Sequence, residues 1–133
     1  MNTEREKLGI LSQMIALAKA DNKIEDSEYE LLLIVAEKMG FNKSILDELF
    51  KQETIYVPLK PESERILQFH RLVLLMNIDE DNDAKEMEII YKFGLKMGLN
   101  PGAISTVFKI MFDYPNRIVP PDVLINIFKA QHN

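Results

Sequence analysis

The feature that most constrains the fold of this chain is an internal repeat. When residues 17–50 are aligned with residues 75–108, nine of the 34 positions are identical. Both copies contain the sequence Lys-Met-Gly-x-Asn, at 38–42 and 96–100, and both continue to a Val-Pro pair, at 57–58 and 119–120. A repeated segment of this kind has an apolar face that it cannot bury alone. The repeat therefore predicts two similar units packed around one core.

Apolar residues recur at helical spacing through both copies. Leu8, Leu11 and Ile15, for example, would share one face of a first helix. A fourth helix would bury Ile66, Phe69, Val73 and Met76. The whole pattern predicts helices at about 3–20, 27–39, 43–51, 62–78, 83–97, 101–112 and 120–131. We therefore predict an all-α fold of about seven helices, with two pseudo-symmetric helix–acidic turn–helix units in a single domain of 133 residues. The units would span about 3–51 and 62–112, and the helix at about 120–131 would close the end.

Residues with special backbone preferences mark the ends of the predicted helices. Gly40 and Gly98 stand where a left-handed residue would end a helix. Asn42 and Asn100 follow at the same distance in both copies, where their side chains would cap the next helix. The repeat is therefore expected to be strongest at the helix boundaries.

The first half of the chain allows three more detailed predictions. Thr3 with Glu6, and Ser27 with Glu30, have the spacing of a capping box. Residues 31–36 are apolar at every position, so the second helix is expected to be buried nearly all round. The two prolines within residues 52–61 exclude a helix there, and we expect an extended connection.

Composition excludes several classes of function. The chain has no Cys, which removes zinc–thiolate sites, thiol nucleophiles and disulfides. Its net charge is −5 and its pI is about 5.1, whereas binding to a nucleic-acid backbone needs a basic face. No apolar run is long enough to predict a transmembrane segment, and the charged start lacks the apolar core of a secretion signal. A cytoplasmic protein with protein partners is expected.

The turn between the fourth and fifth helices is the best candidate for a binding site. Clustered carboxylates repel one another unless a cation compensates them, and hard cations such as Ca²⁺ prefer oxygen ligands. The residues expected to converge there are Asp79, Asp81, Asp83 and Glu86. The register of an EF-hand loop is only partly met, because Asn82 replaces the glycine at its sixth position. The first turn has lysines at ligand positions, so no EF-hand is predicted.

A purely structural role explains the same acidic residues. Carboxylates in the first turn of a helix bind its free N–H groups and complement its dipole. Four residues need do no more than this: Asp26, Glu28, Asp83 and Glu86. The residues alone leave the two interpretations open.

The first acidic turn and the helix after it resemble a known family. Residues 16–24 read Ala-Leu-Ala-Lys-Ala-Asp-Asn-Lys-Ile and are followed by Glu28. This resembles the Ala-x-Ala-Asp-Gly-x-Ile-x-x-x-Glu signature of TerB-like domains, which include the tellurite-resistance protein TerB and the N-terminal domain of the DjlA co-chaperone. Asn22 stands where the family has Gly. The resemblance covers residues 15–50 and, less closely, residues 72–112.

The resemblance implies both a fold and a site. TerB-like domains are all-helical and contain a pseudo-twofold pair of such units. Their paired acidic residues, which are suspected metal ligands, fall on Asp21 and Glu28 in the first unit and on Asp79 and Glu86 in the second. Members of the family are linked mostly to membrane-associated stress or metal-response systems, so a membrane-associated protein partner is implied.

Three functions are compatible with the sequence. The favoured one is a non-enzymatic TerB-like interaction or stress-response module that binds Ca²⁺ or another divalent cation weakly. The second is a metal-free protein–protein interaction module in which the acidic turns are only helix caps. The third is a metal-assisted hydrolase, which would need an open pocket beside the carboxylates. The isolated His70 is expected to be packed or half-exposed rather than catalytic.

Overall fold

The computed structural model describes residues 3–20, 23–78 and 84–131. Within these residues the chain forms seven α-helices and no β-strand, which confirms the predicted all-α class. The helices are α1 (Glu4–Ala18), α2 (Asp26–Lys38), α3 (Lys43–Phe50), α4 (Glu62–Asn77), α5 (Ala84–Lys96), α6 (Pro101–Ile110) and α7 (Pro121–Ala130). None of these helices is long and apolar enough to cross a membrane. Contacts group the chain into two compact units, Met1–Pro58 (unit 1) and Leu59–Asn133 (unit 2).

Unit 1 is a bundle in which α1, α2 and α3 each pack against the other two. Helix α1 supplies much of its core, because Leu11, Met14 and Leu17 are almost completely buried. Helix α3 contributes Leu46 and Leu49. The apolar spacing that predicted these helices is therefore the spacing that fills the core.

The connection after α3 is extended, as predicted, and lies against α1. A Cβ added to Gly9 would lie 3.0 Å from the side chain of Val57, so glycine is what allows the segment to approach α1 this closely. One turn further along α1, Ser12 Oγ accepts a hydrogen bond of 2.7 Å from the N–H of Ile55. The extended segment is thus attached to α1 by packing and by a hydrogen bond.

Unit 2 is built around α4, against which α5 and α7 pack, while α6 contacts both α5 and α7. Phe69 on α4 is fully buried, and its ring lies 6.0 Å from that of Phe108 and 5.7 Å from that of Phe128, measured between centroids. Aromatic rings at such distances stabilise a core beyond the area that they bury. The predicted buried residues of α4 are confirmed: Ile66, Phe69, Val73 and Met76.

The chain leaves α6 through two short 3₁₀ turns, Met111–Asp113 and Pro115–Arg117, and then becomes extended. His70 on α4 is half-buried, and its Nε2 lies 3.2 Å from the carbonyl oxygen of Val119. Since a carbonyl only accepts, Nε2 is the donor. Position 70 lies 58 residues after position 12, which is the offset of the repeat. Ser12 and His70 therefore occupy equivalent positions on the first helices of the two units, and each forms a hydrogen bond with the extended segment that follows the third helix of its own unit.

The helix boundaries follow the repeat closely. Helices α2 and α5 begin 58 residues apart, and so do α3 and α6. Gly40 and Gly98 have φ values of 88° and 82°, as predicted for left-handed helix ends. The next N–H in each copy, of Phe41 and of Leu99, donates to the carbonyl five residues earlier at 2.9 and 3.0 Å.

The predicted N-caps of α1, α3 and α6 are confirmed. Asn42 accepts a hydrogen bond of 3.0 Å from the N–H of Ile45. Asn100 accepts two, of 2.8 and 3.1 Å, from the first turn of α6, where Pro101 occupies the first position. Thr3 forms its capping box with the side chain three residues on. Each of these contacts is local in sequence, which is why it was predictable.

Two predictions about α2 are wrong. The helix begins at Asp26, one residue earlier than expected, and the N–H of Glu25 donates to Glu28 Oε1 at 3.0 Å. The capping contact therefore lies two residues before the Ser27–Glu30 pair. Several consecutive polar residues can cap a helix, so spacing alone does not choose among them.

The second error concerns burial. Only three residues of α2 are buried, Glu28, Leu32 and Ala36, which recur every four residues on the face towards α1 and α3. Ile34 is 51% exposed. Because successive side chains of a helix point about 100° apart, an apolar run of six residues must place some of them on the outer face.

Candidate functional site

The structure describes two of the six predicted metal ligands, Glu28 and Glu86. The other four lie outside the described residues: Asp21, Asp79, Asp81 and Asp83. Among the residues that are described, no three His, Cys, Asp or Glu side chains are grouped so that they could hold a metal ion. The cation site therefore remains a prediction.

Glu28 and Glu86 occupy equivalent places in the two units. Each is the third residue of its helix, α2 or α5, and they are only 4% and 6% exposed. Glu28 Oε1 accepts the hydrogen bond from Glu25 that caps α2. A carboxylate in this position also complements the helix dipole. Glu28 therefore has the helix-capping role that the sequence allowed, and it caps α2 through its Oε1 atom.

A different site is visible in unit 1, which we name the aromatic cleft. It is an open depression of about 340 Å³ between α2 and α3, lined by Ile24, Asp26, Tyr29, Asp47, Phe50 and Lys51. The rings of Tyr29 and Phe50 stack with their centroids 5.8 Å apart and their planes 26° apart. Two aromatic side chains that line an open depression provide a large apolar contact area at low conformational cost.

Hydrogen bonds hold the Tyr29 side of the cleft in place. The Tyr29 hydroxyl donates to Asp47 Oδ1, and Lys43 Nζ pairs with Asp47 Oδ2 at 2.8 Å. Lys43 Nζ also lies 5.5 Å from the centre of the Tyr29 ring. The hydrogen bond to Asp47 raises the pKa of Tyr29, and the hydrogen bond from Lys43 lowers the pKa of Asp47. Asp47 is therefore an ionised and already occupied acceptor.

On the other side of the cleft, the chain places a cation beside Phe50. Lys19 Nζ donates to the carbonyl oxygen of Phe50 and lies 5.9 Å from the centre of its ring. Lys43 stands on the Tyr29 side, and Lys51 lines the cleft together with the carboxylates of Asp26 and Asp47. Ammonium groups therefore lie beside both aromatic rings, although the whole chain is acidic.

The aromatic cleft has no close counterpart in the sequence of unit 2. At the repeat offset of 58, Asp26, Tyr29 and Asp47 become Ala84, Met87 and Ser105; only the Phe and the Lys persist, as Phe108 and Lys109. Phe108 packs beside Phe69. The cleft is thus an addition to the repeated framework and not a consequence of it.

Sequence analysis missed the aromatic cleft. Tyr29, Asp47 and Phe50 lie within amphipathic helices, where such residues ordinarily form part of the packing or of a solvated face. One signal was available in the sequence. Tyr29 and Asp47 in the first copy correspond to Met87 and Ser105 in the second copy, and neither backbone conformation nor burial requires these differences.

Comparison of the chain with protein-family models, with curated proteins and with solved structures finds no match. The resemblance to TerB-like domains therefore rests on the quoted residues alone. It stays a prediction.

Proposed function

We propose that this protein is a non-enzymatic helical interaction module, and that the aromatic cleft of unit 1 is where it contacts a protein partner. The observation that carries the proposal is the stacked pair Tyr29 and Phe50 in the wall of an open depression. Aromatic residues in such places dominate the binding energy of many interfaces. Family resemblance adds the expectation of a stress-response or metal-response role, in the cytoplasm and beside a membrane-associated partner.

The chemistry of the cleft suggests what a partner would present. An aromatic or large aliphatic side chain would pack on the two rings. The ammonium groups of Lys19, beside Phe50, and of Lys51, in the lining, favour acidic residues beside this anchor. We therefore expect a segment with one large apolar residue flanked by Asp or Glu.

Selection from a random peptide library on the unmodified protein tests the proposal. Recovered peptides should share an apolar anchor beside an acidic residue. Lys51→Glu should weaken their binding about fivefold or more, because it introduces repulsion at the rim. Tyr29→Ala should weaken it about tenfold or more, because it removes half of the aromatic surface.

The repeat supplies matched controls for both variants. Lys109→Glu and Met87→Ala change the equivalent positions of unit 2 and should leave peptide affinity unchanged. Peptides without a common anchor would contradict the proposal. So would an equal loss of affinity for Lys51→Glu and Lys109→Glu, which would reflect net charge and not the cleft.

Weak binding of Ca²⁺ or another divalent cation at the acidic turns is the second part of the favoured function. If carboxylate repulsion is relieved by a cation, millimolar Ca²⁺ should raise the melting temperature, and Asp79→Asn with Asp81→Asn should abolish that rise. A metal-free module instead shows no rise with Ca²⁺, Mg²⁺ or Mn²⁺, and the same double variant leaves its stability unchanged or slightly higher. The two results distinguish the alternatives directly.

A further inference from the structure

A second depression lies in unit 2, which we name the turn cavity. It has a volume of about 300 Å³ and is lined by Leu74, Asn77, Ile78, Asn116 and Ile118. Ile78 and Ile118 are 38% and 41% exposed, so the cavity is open to solvent at its apolar edge. Its volume is at the lower end of the range found for small-molecule sites. None of the five lining residues that the structure describes carries a charge.

The amide of Asn77 is an incompletely paired polar group in this wall. Asn77 is 3% exposed, and its Nδ2 donates to the carbonyl oxygen of Arg117 at 3.3 Å and lies 3.7 Å from the sulfur of Met111. A flipped amide would put two acceptors together, so this orientation is fixed. Oδ1 is then left closed to water and without a hydrogen-bond partner. An acceptor buried in this way destabilises the fold.

The turn that follows Tyr114 contributes Asn116 and Ile118 to the cavity and is under backbone strain at Arg117. Asn116 and Arg117 are consecutive and have φ values of 56° and 58°, in the left-handed region that Asn adopts readily and Arg does not. The same turn supplies the carbonyl that holds Asn77. Strain and an unpaired acceptor therefore meet at one cavity, and such features concentrate at functional sites.

We propose that the turn cavity binds a small, uncharged, largely apolar molecule that carries one hydrogen-bond donor, with Asn77 Oδ1 as the acceptor. The apolar walls of Leu74, Ile78 and Ile118 exclude water around the ligand and disfavour a charged one. Because Oδ1 is closed to water, the ligand reaches it only if the turn at 116–117 moves outward. Release of the left-handed backbone conformation makes this movement less costly.

Indole and 1-methylindole form a matched pair of probes for this site. They have nearly the same shape and apolar surface, but methylation removes the N–H donor. Titration of the full chain, followed by amide and methyl chemical shifts, should place indole at Asn77, Asn116 and Ile118. Indole should bind about fivefold more tightly than 1-methylindole, the usual effect of one net hydrogen bond.

Three variants separate the site from non-specific binding. Ile118→Trp fills the cavity and should abolish binding, whereas Ile125→Trp should not, because Ile125 is similarly exposed (38%) but lies outside the cavity. Asn77→Leu should remove the preference for indole while keeping apolar binding. Because both Trp substitutions are at exposed positions, they leave the test valid even if Asn77→Leu fails to fold. Shifts outside the cavity, or no preference for indole over 1-methylindole in the unmodified chain, would overturn the proposal.

Discussion

The two units share the residues that fix the backbone and differ in the residues that meet solvent. Gly40 and Gly98 end equivalent helices, and Asn42 and Asn100 begin the next ones. By contrast, the aromatic cleft belongs to unit 1 and the turn cavity to unit 2. The repeat therefore provides a common framework, and each copy carries a different candidate binding surface.

The pair Phe50 and Phe108 illustrates this difference within one repeated position. Both follow the same Asn-capped helix start, at an offset of 58 residues. Phe50 stacks on Tyr29 at the open cleft, whereas Phe108 lies beside the buried Phe69. An identical residue in the two copies thus has two different surroundings, because the helices packed around it are different. Identity within a repeat indicates a shared helix, and not a shared role.

The largest expected difference between the units concerns the glycines that end α2 and α5. Alanine at either position must adopt a left-handed conformation, which costs about 1–2 kcal/mol. A Cβ at Gly98 would also lie 3.3 Å from Arg65 Nη1, which donates a hydrogen bond of 3.1 Å to the carbonyl oxygen of Met97. A Cβ at Gly40 would have no such neighbour within 4 Å. Gly98→Ala should therefore lower the free energy of unfolding by about 2 kcal/mol and Gly40→Ala by about 1 kcal/mol, measured by urea denaturation. Equal losses would show that Arg65 moves without cost.

A smaller effect is expected at Gly94, whose counterpart in unit 1 is Ala36. A Cβ at Gly94 would lie only 2.5 Å from Cδ1 of the fully buried Ile104. Gly94→Ala should therefore destabilise the protein by about 1 kcal/mol, although alanine is the better helix former.

A double variant isolates this contact. Ile104→Val removes Cδ1, and in that background Gly94→Ala should become neutral or stabilising. Ala36→Gly, the reverse exchange in unit 1, should cost about 1 kcal/mol through helix propensity, and the loss of a buried methyl group adds to this cost. A loss for Gly94→Ala that persists with valine at 104 would refute the steric explanation.

The smallest expected effect distinguishes the two attachments of the extended segments. Burial lowers the pKa of His70, whereas Ser12 at the equivalent place does not titrate. Above the ordinary histidine pKa of about 6.5 the ring is neutral in both folded and unfolded chains. As the pH falls below about 6.5, the unfolded chain takes up the proton more readily, so stability should decrease.

The measurement is the pH dependence of unfolding between about pH 7.5 and 5.5, which brackets the histidine pKa. His70→Gln should flatten the profile relative to the unmodified chain, and Ser12→Ala should shift it without changing its slope. An unchanged slope in His70→Gln would assign the dependence to other groups.

Local features of this fold were predictable, and contacts between distant residues were not. The glycine helix ends and the Asn caps depend on residues fewer than six positions apart, and the sequence identified all four. The buried face of α4 followed from helical spacing. The roles of Ser12 and His70 were not found, because each holds a segment more than 40 residues away.

The candidate sites were harder to predict for the same reason. The aromatic cleft joins residues from both sides of a helix–helix turn, and Tyr29 and Asp47 are 18 residues apart. The unpaired Oδ1 of Asn77 depends on where the turn at 115–118 lies, 40 residues later. The clustered acidic residues predicted sites at the turns at 21 and 79–83. They gave no indication of the aromatic cleft, which has mixed charges, or of the turn cavity, whose described lining is uncharged.

Each extended segment is attached to the first helix of its own unit, and this determines when each unit can fold during translation. Ser12 and its partner Ile55 are 43 residues apart in the sequence, and His70 and its partner Val119 are 49 residues apart. Neither contact needs any residue from the other unit. As the nascent chain emerges from the ribosome, unit 1 therefore has every residue of its own closing contact before α4 has been translated, in keeping with the general order in which N-terminal parts fold first.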